Sequence, residues 1–184
     1  LTAASAGARV HVFEALNYPG GCASTFQRNG YRFESGATLF SGFGQGQLMR
    51  RWIDSHGLNV DVRFHDPMVE LRSSLGSMAF GPDRERNVEA VARMSGNRAA
   101  NVRRFFAEQG KIADTLWELF DNPALLPPFP ASALGHHLRR IPAYLRVARW
   151  VGRPLLALAR AHDVDDEPAL RSFLDAVCQI TVQA

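Results

Sequence analysis

The chain has 184 residues, long enough for one domain or parts of two, with 46% hydrophobic and 21% charged residues, the balance of a globular protein. Its formal charge is +3, and all but one of its 21 basic residues are arginines, Lys111 being the single lysine. No nucleic-acid motif accompanies that charge, no apolar run reaches the roughly 20 residues that span a bilayer, and Cys22 and Cys178 form neither a CxxC nor a zinc pattern, so nucleic-acid binding, membrane spanning and a disulfide framework are all disfavoured.

In chain order, residues 9–14 (Arg-Val-His-Val-Phe-Glu) alternate and are rich in β-formers, which predicts a buried strand ending on Glu14. Residues 15–30 read as loop, punctuated by Pro19-Gly20-Gly21. A short strand follows within 31–40, then a small-residue turn at Gly36, and residues 45–57 read as a helix closed by Gly57. Segments 60–64, 68–72 and 77–80 are strand candidates separated by Asp66-Pro67 and Gly76, the signature of a meander. Residues 83–121 carry helical periodicity, with Gly96 and Gly110 as interruptions, and the prolines of 122–132 predict a stiff loop. Residues 133–162 are amphipathic: Leu138, Ile141, Leu145 and Leu155 share one face, and Arg139, Arg146, Arg149 and Arg153 another, with Pro142 and Pro154 expected to kink or divide the helix. This stretch reads as a core-packing helix with a solvated arginine face; the alternative is a surface that docks on anionic lipid. A last helix covers 167–182, and His136-His137 reads as a surface pair because no carboxylate or cysteine lies at metal-ligand spacing.

The chemistry concentrates before residue 40. An acid at the end of a strand can accept hydrogen bonds from ribose hydroxyls. Paired glycines, Gly20 and Gly21, let backbone N–H groups approach a pyrophosphate without a Cβ clash. Gly36, beside Ala37, lets the backbone pass close to a flat ring. Taken singly, Glu14 is a solvated acid and Gly20-Gly21 a turn; in this order they point to a dinucleotide site.

The stretch VHVFEALNYPGGCASTFQRNGYRFESGATLFSG, residues 10–42, resembles the FAD-binding region of phytoene desaturases, carotenoid cis-trans isomerases and retinol saturases, a superfamily that also includes the amine oxidases. Ser172–Ile180 is a fainter echo of the same group. The resemblance implies an α/β chain: a partial Rossmann-like FAD-binding layer over 1–57, then a substrate domain of antiparallel strands and helices beginning at 58 and incomplete at 184. It implies FAD as cofactor, with Glu14 at the ribose, Gly20, Gly21, Cys22 and Ser24 along the dinucleotide, and Gly36, Ala37 and Thr38 near the flavin ring. Cys22 stands where relatives often carry a basic residue. The implied substrate is an apolar polyene, desaturated, isomerised or saturated, with no catalytic side chain and no metal expected because the flavin performs the redox step. Relatives open with strand–GxGxxG–helix, and Leu1-Thr2-Ala3-Ala4 looks like the residues after the last of those glycines. The chain therefore reads as an N-terminal fragment that does not hold FAD tightly by itself, cytoplasmic or peripheral to the inner face of the membrane. The alternatives are a non-catalytic remnant of such a flavoprotein and a member of the amine oxidase branch.

Overall fold

Residues 9–14 are expected as a buried strand; instead residues 8–14 join no sheet, and Val12 and Phe13 are 87% and 93% exposed. The structure, a computed structural model, describes residues 2–36 and 41–181. A strand is stabilised by its ladder, and among the described residues no neighbour pairs with this one, so the β-rich composition of 9–14 finds no sheet to enter. The expected buried strand is thus corrected to an unpaired segment.

The chain divides into two units, Leu1–Val60 and Asp61–Ala184. The first holds a short helix α1 (Thr2–Ser5), a hairpin of β1 (Thr25–Arg28) and β2 (Tyr31–Glu34), and a helix α2 (Leu48–Ser55). Strand β1 falls inside the stretch expected to be loop. Its cause is Asn29-Gly30, with φ of 52° and 80°, the left-handed pair that a two-residue hairpin turn requires. The register pairs Phe26 with Phe33, whose rings stack 5.5 Å apart, and Thr25 with Glu34. Helix α2 ends as the sequence predicts: Gly57 sits at φ 58°, and the Leu58 N–H donates back to the Ile53 carbonyl at 2.9 Å.

The second unit opens with a hairpin of β3 (Val69–Ser73) and β4 (Gly76–Phe80). Segment 60–64 forms no strand, so the expected three-stranded meander is a two-stranded hairpin. Period-two alternation turns Leu71 and its partner Met78, with Phe80, toward the core, where they meet helices α3 (Arg84–Met94) and α4 (Ala99–Asp121). Asp83 caps α3, its Oδ1 accepting the N–H groups of Glu85 at 2.9 Å and Arg86 at 3.2 Å. Gly96, at φ 52°, separates α3 from α4, but Gly110 does not interrupt α4: it is buried, and a Cβ there would lie 3.4 Å from the Arg84 guanidinium. Helices α5 (Leu134–Ala148), α6 (Leu155–Arg160) and α7 (Pro168–Thr181) follow, Pro154 separating α5 from α6 while Pro142 stays within α5. The core joins Met78, Phe80, Val91, Val102, Phe105, Leu158, Val164 and Leu170, with the ring of Phe173 on α7 centred 5.0 Å from that of Phe80.

Helix α5 is turned opposite to expectation. Its expected core face, Leu138, Ile141 and Leu145, is exposed, while His136, Arg140, Ala143 and Val147 are half-buried. Glu118 of α4 explains the orientation: it forms an ion pair with Arg140 and stands 3.4 Å from His136 Nε2, so polar contacts on one side of α5 hold that side to the unit. His136 and His137 are accordingly half-buried rather than a plain surface pair. The Tyr144 hydroxyl meets His137 Nδ1 at 2.9 Å, and the Phe129 ring packs on the His137 ring at 4.4 Å.

Candidate dinucleotide site

Glu14 follows the unpaired segment, and its exposed carboxylate turns back on the chain to accept the Leu16 N–H at 3.1 Å. That bond holds the carboxyl below the ordinary glutamate range against partial desolvation, and the backbone N–H groups of Gly20, Ala15 and Gly21 act in the same direction. Glu14 and the glycine pair, six and seven residues apart in sequence, therefore lie at one place, with the carboxylate ionised near neutrality.

Both glycines are needed for local reasons. Gly20 has φ 112°, and a Cβ on it would come within 3.2 Å of the Ser24 Cα. Gly21 has φ 54°, and its missing Cβ would meet nothing within 4 Å, so that side of its backbone is open to a ligand. From Gly21 the chain makes one 3-10 turn, Gly21–Ala23, closed by the Ala23 N–H donating to the Gly20 carbonyl at 2.9 Å. Cys22 is an exposed free thiol on this turn.

Ser24 fastens the turn to the hairpin. Its buried hydroxyl donates to the Gly21 carbonyl at 2.6 Å and meets the Ser35 hydroxyl at 2.9 Å, and its carbonyl accepts the Ser35 N–H at 2.9 Å. Gly36 follows directly, close enough that a Cβ would sit 3.3 Å from the Cys22 carbonyl oxygen. Glu14, Gly20, Gly21, Cys22, Ser24 and Gly36 thus form one continuous cluster; Ala37 and Thr38 lie outside the described residues. Ser35 is a member of the cluster that the sequence reading misses. Its signal is present all the same: with Asn29-Gly30 as a two-residue turn and Thr25 opposite Glu34, the next pair outward is Ser24 and Ser35. Beside the cluster an open cavity of about 490 Å³ is lined by Asn17, Tyr18, Thr25, Phe26 and Gln27.

What this arrangement offers is a polar backbone surface with an ionised acid at one end. Among the described residues no group of three or more His, Cys, Asp or Glu is placed to hold a metal ion. Such a surface can bind hydroxyl and phosphate groups and orient them.

Comparison with known proteins adds a family and two relatives. Residues 1–55 match the family described as NAD(P)-binding Rossmann-like domain. The chain is 28% identical over 192 aligned positions to prolycopene isomerase 1, chloroplastic, and equally to prolycopene isomerase 2, chloroplastic, both of an Oncidium hybrid cultivar. Each alignment covers 97% of this chain, which spans only 30% of the length of either relative. No solved structure matches the chain. The resemblance to carotenoid isomerases read from residues 10–42 is borne out, the described residues form a mixed α/β structure, and residues 1–55 resemble a Rossmann-like dinucleotide-binding family. Both relatives' names carry a chloroplast location, which lends no support to a cytoplasmic one. Among the described residues no helix is long and apolar enough to cross a membrane.

Proposed function

We propose that this chain is part of an FAD-dependent oxidoreductase acting on a carotenoid-like polyene, with residues 1–57 contributing to the flavin domain and residues 58–184 opening the substrate domain. The observation that carries the reading is the convergence of Glu14, Gly20-Gly21, Ser24 and Gly36 in a stretch that matches a dinucleotide-binding family. The names of the relatives favour isomerisation of a polyene over desaturation or saturation.

The residues present fit a dinucleotide. Glu14, ionised and exposed, suits the ribose hydroxyls as an acceptor. The turn at Gly20-Gly21 suits close approach of the pyrophosphate, because Gly21 leaves open the space a Cβ would fill. The Cys22–Ser24 backbone would run along the dinucleotide, fixed by the Ser24–Ser35 contact. Gly36, Ala37 and Thr38 would pass close to the flavin ring. A bound flavin would supply the redox chemistry, leaving the protein to bind, orient and exclude water.

Flavin titration followed by fluorescence quenching tests the proposal. In the full-length protein, Glu14→Ala should weaken FAD binding roughly tenfold, the scale of losing hydrogen bonds to a charged acceptor. Unchanged flavin affinity in that variant would remove Glu14 from the site, and tighter binding of NAD than of FAD would redirect the proposal to a nicotinamide enzyme.

A further inference from the structure

Ser35 is exposed, yet its hydroxyl meets the buried hydroxyl of Ser24, 11 residues earlier in the chain, at 2.9 Å. The direction of that hydrogen bond follows from its neighbour. A hydroxyl carries one proton, and a carbonyl can only accept, so Ser24 gives its proton to the Gly21 carbonyl at 2.6 Å. Ser35 is therefore the donor to Ser24. The result is a directed chain, from the Ser35 hydroxyl to the Ser24 hydroxyl to the Gly21 carbonyl, in which each bond polarises the next.

This chain acts on both ends of the dinucleotide cluster. At one end the Gly21 carbonyl also accepts the Ser24 N–H at 3.3 Å, so both donors of Ser24 hold it. A trans peptide points its N–H opposite to its C=O, so the Cys22 N–H faces away from Ser24, and it meets no acceptor among the described residues. The N–H groups of Gly20 and Gly21 act instead on the Glu14 carboxylate. The Cys22 amide is thus the donor that the turn leaves for an anion. At the other end, Ser35 leads directly into Gly36, whose backbone lies so near the turn that a Cβ would sit 3.3 Å from the Cys22 carbonyl oxygen.

We infer that Ser35, acting through Ser24, is a positioning residue for the bound dinucleotide: it sets the segment beginning at Gly36, which would meet the flavin ring, against the turn that would meet the pyrophosphate. The inference rests on the dinucleotide reading proposed above and adds a division of labour to it. Glu14 and the turn hold the adenosine diphosphate half, and the serine chain relates that half to the ring. Removing the Ser35 hydroxyl leaves the bond from Ser24 to Gly21 in place, so the turn persists while its side-chain link to the ring segment is lost.

Titration of the full-length protein with FAD and with ADP tests this, because ADP carries the ribose and diphosphate but no ring. Ser35→Ala should weaken FAD binding about fivefold, the scale of one hydrogen bond, and leave ADP binding within about twofold. Ser35→Thr keeps the hydroxyl at an exposed position and should restore FAD binding. Ser24→Ala breaks the chain at its centre and should weaken both ligands; adding Ser35→Ala to it should cost FAD binding nothing more, because the two serines act as one unit. A general loosening of the N-terminal unit would weaken FAD and ADP by the same factor. Equal losses for the two ligands, no loss for FAD, failure of Ser35→Thr to restore it, or additive losses in the double variant would each overturn the inference and leave dinucleotide binding at the cluster standing. A wild-type protein that binds neither FAD nor ADP would overturn the dinucleotide reading and this inference with it.

Discussion

Ser24 is the sole fully buried side chain among the described residues of the N-terminal unit, whereas the second unit closes Phe80, Val91, Val102, Phe105 and Leu170 into a continuous core. The two units are shaped by different forces. Residues 61–181 fold around removal of apolar surface from water, worth about 1.5–3 kcal/mol per large side chain. Residues 2–36 and 41–60 are shaped by glycines at positive φ, an Asn-Gly turn and the Ser24–Ser35 hydroxyl contact, with Phe13 and Val12 left in solvent. A region built that way can set backbone N–H groups in a fixed arrangement, while none of its described apolar side chains is buried. The binding cluster and the self-sufficient core therefore lie in separate units, and the contrast can be broken by mutation.

The largest effect belongs to the core. Phe105 is fully buried and meets Phe106 edge-on at 5.1 Å, so Phe105→Ala should destabilise the second unit by about 3–5 kcal/mol in urea unfolding followed by Trp117 and Trp150 fluorescence. Phe13→Ala, at a side chain 93% exposed, should shift the same curve by less than about 0.5 kcal/mol. Equal effects would dissolve the distinction between the units.

In the N-terminal unit the sensitive positions are backbone ones. Gly20→Ala should cost about 1–3 kcal/mol locally, because φ 112° is strained for alanine and the new Cβ would press on Ser24. Gly21→Ala meets no atom and should cost about 1 kcal/mol, its φ of 54° being the left-handed region. Amide shifts of Ser24 and Ser35 in NMR spectra would rank the two; a larger change from Gly21→Ala would contradict the geometry.

Acid should act more gently and on both units. Bonds from Arg103 to Glu89 and from Arg72 to Glu70 hold those carboxyls below the ordinary range, as the Leu16 N–H holds Glu14. Folded values lower than unfolded ones mean that the stabilisation is fully present above the unfolded value, about pH 4.3, and fades as pH falls through the folded value. The urea midpoint of the second unit should be flat from neutrality to about pH 5 and decline below about pH 4, with Glu89→Gln reducing the decline. The effect is small because these pairs are exposed.

Much of this organisation is legible in the sequence, for reasons that also explain the exceptions. The helical period of Val102, Phe105, Phe106 and Ile112 signals α4 because their burial needs nothing outside the unit. The cluster around Glu14 is legible because glycine pairs and a terminal acid act through local geometry. Residues 9–14 fail as a strand because a β-ladder depends on partners that a one-dimensional pattern does not show. Strand β1 is hidden because Asn29-Gly30 reads as loop punctuation as readily as a hairpin turn. Helix α5 has the expected two faces, but periodicity does not say which of them meets the protein, and Glu118 on α4 decides that in favour of the polar one.

Whether the cluster from Glu14 to Gly36 binds a dinucleotide is tested most directly by titrating the isotope-labelled chain with FAD and reading backbone amide shifts. Saturable changes should be confined to Glu14–Leu16, Gly20–Ser24 and Ser35-Gly36, with the amides of α3 and α4 unmoved. Shifts centred on α3 and α4, or none in residues 14–36 at saturating FAD, would contradict dinucleotide binding at this cluster.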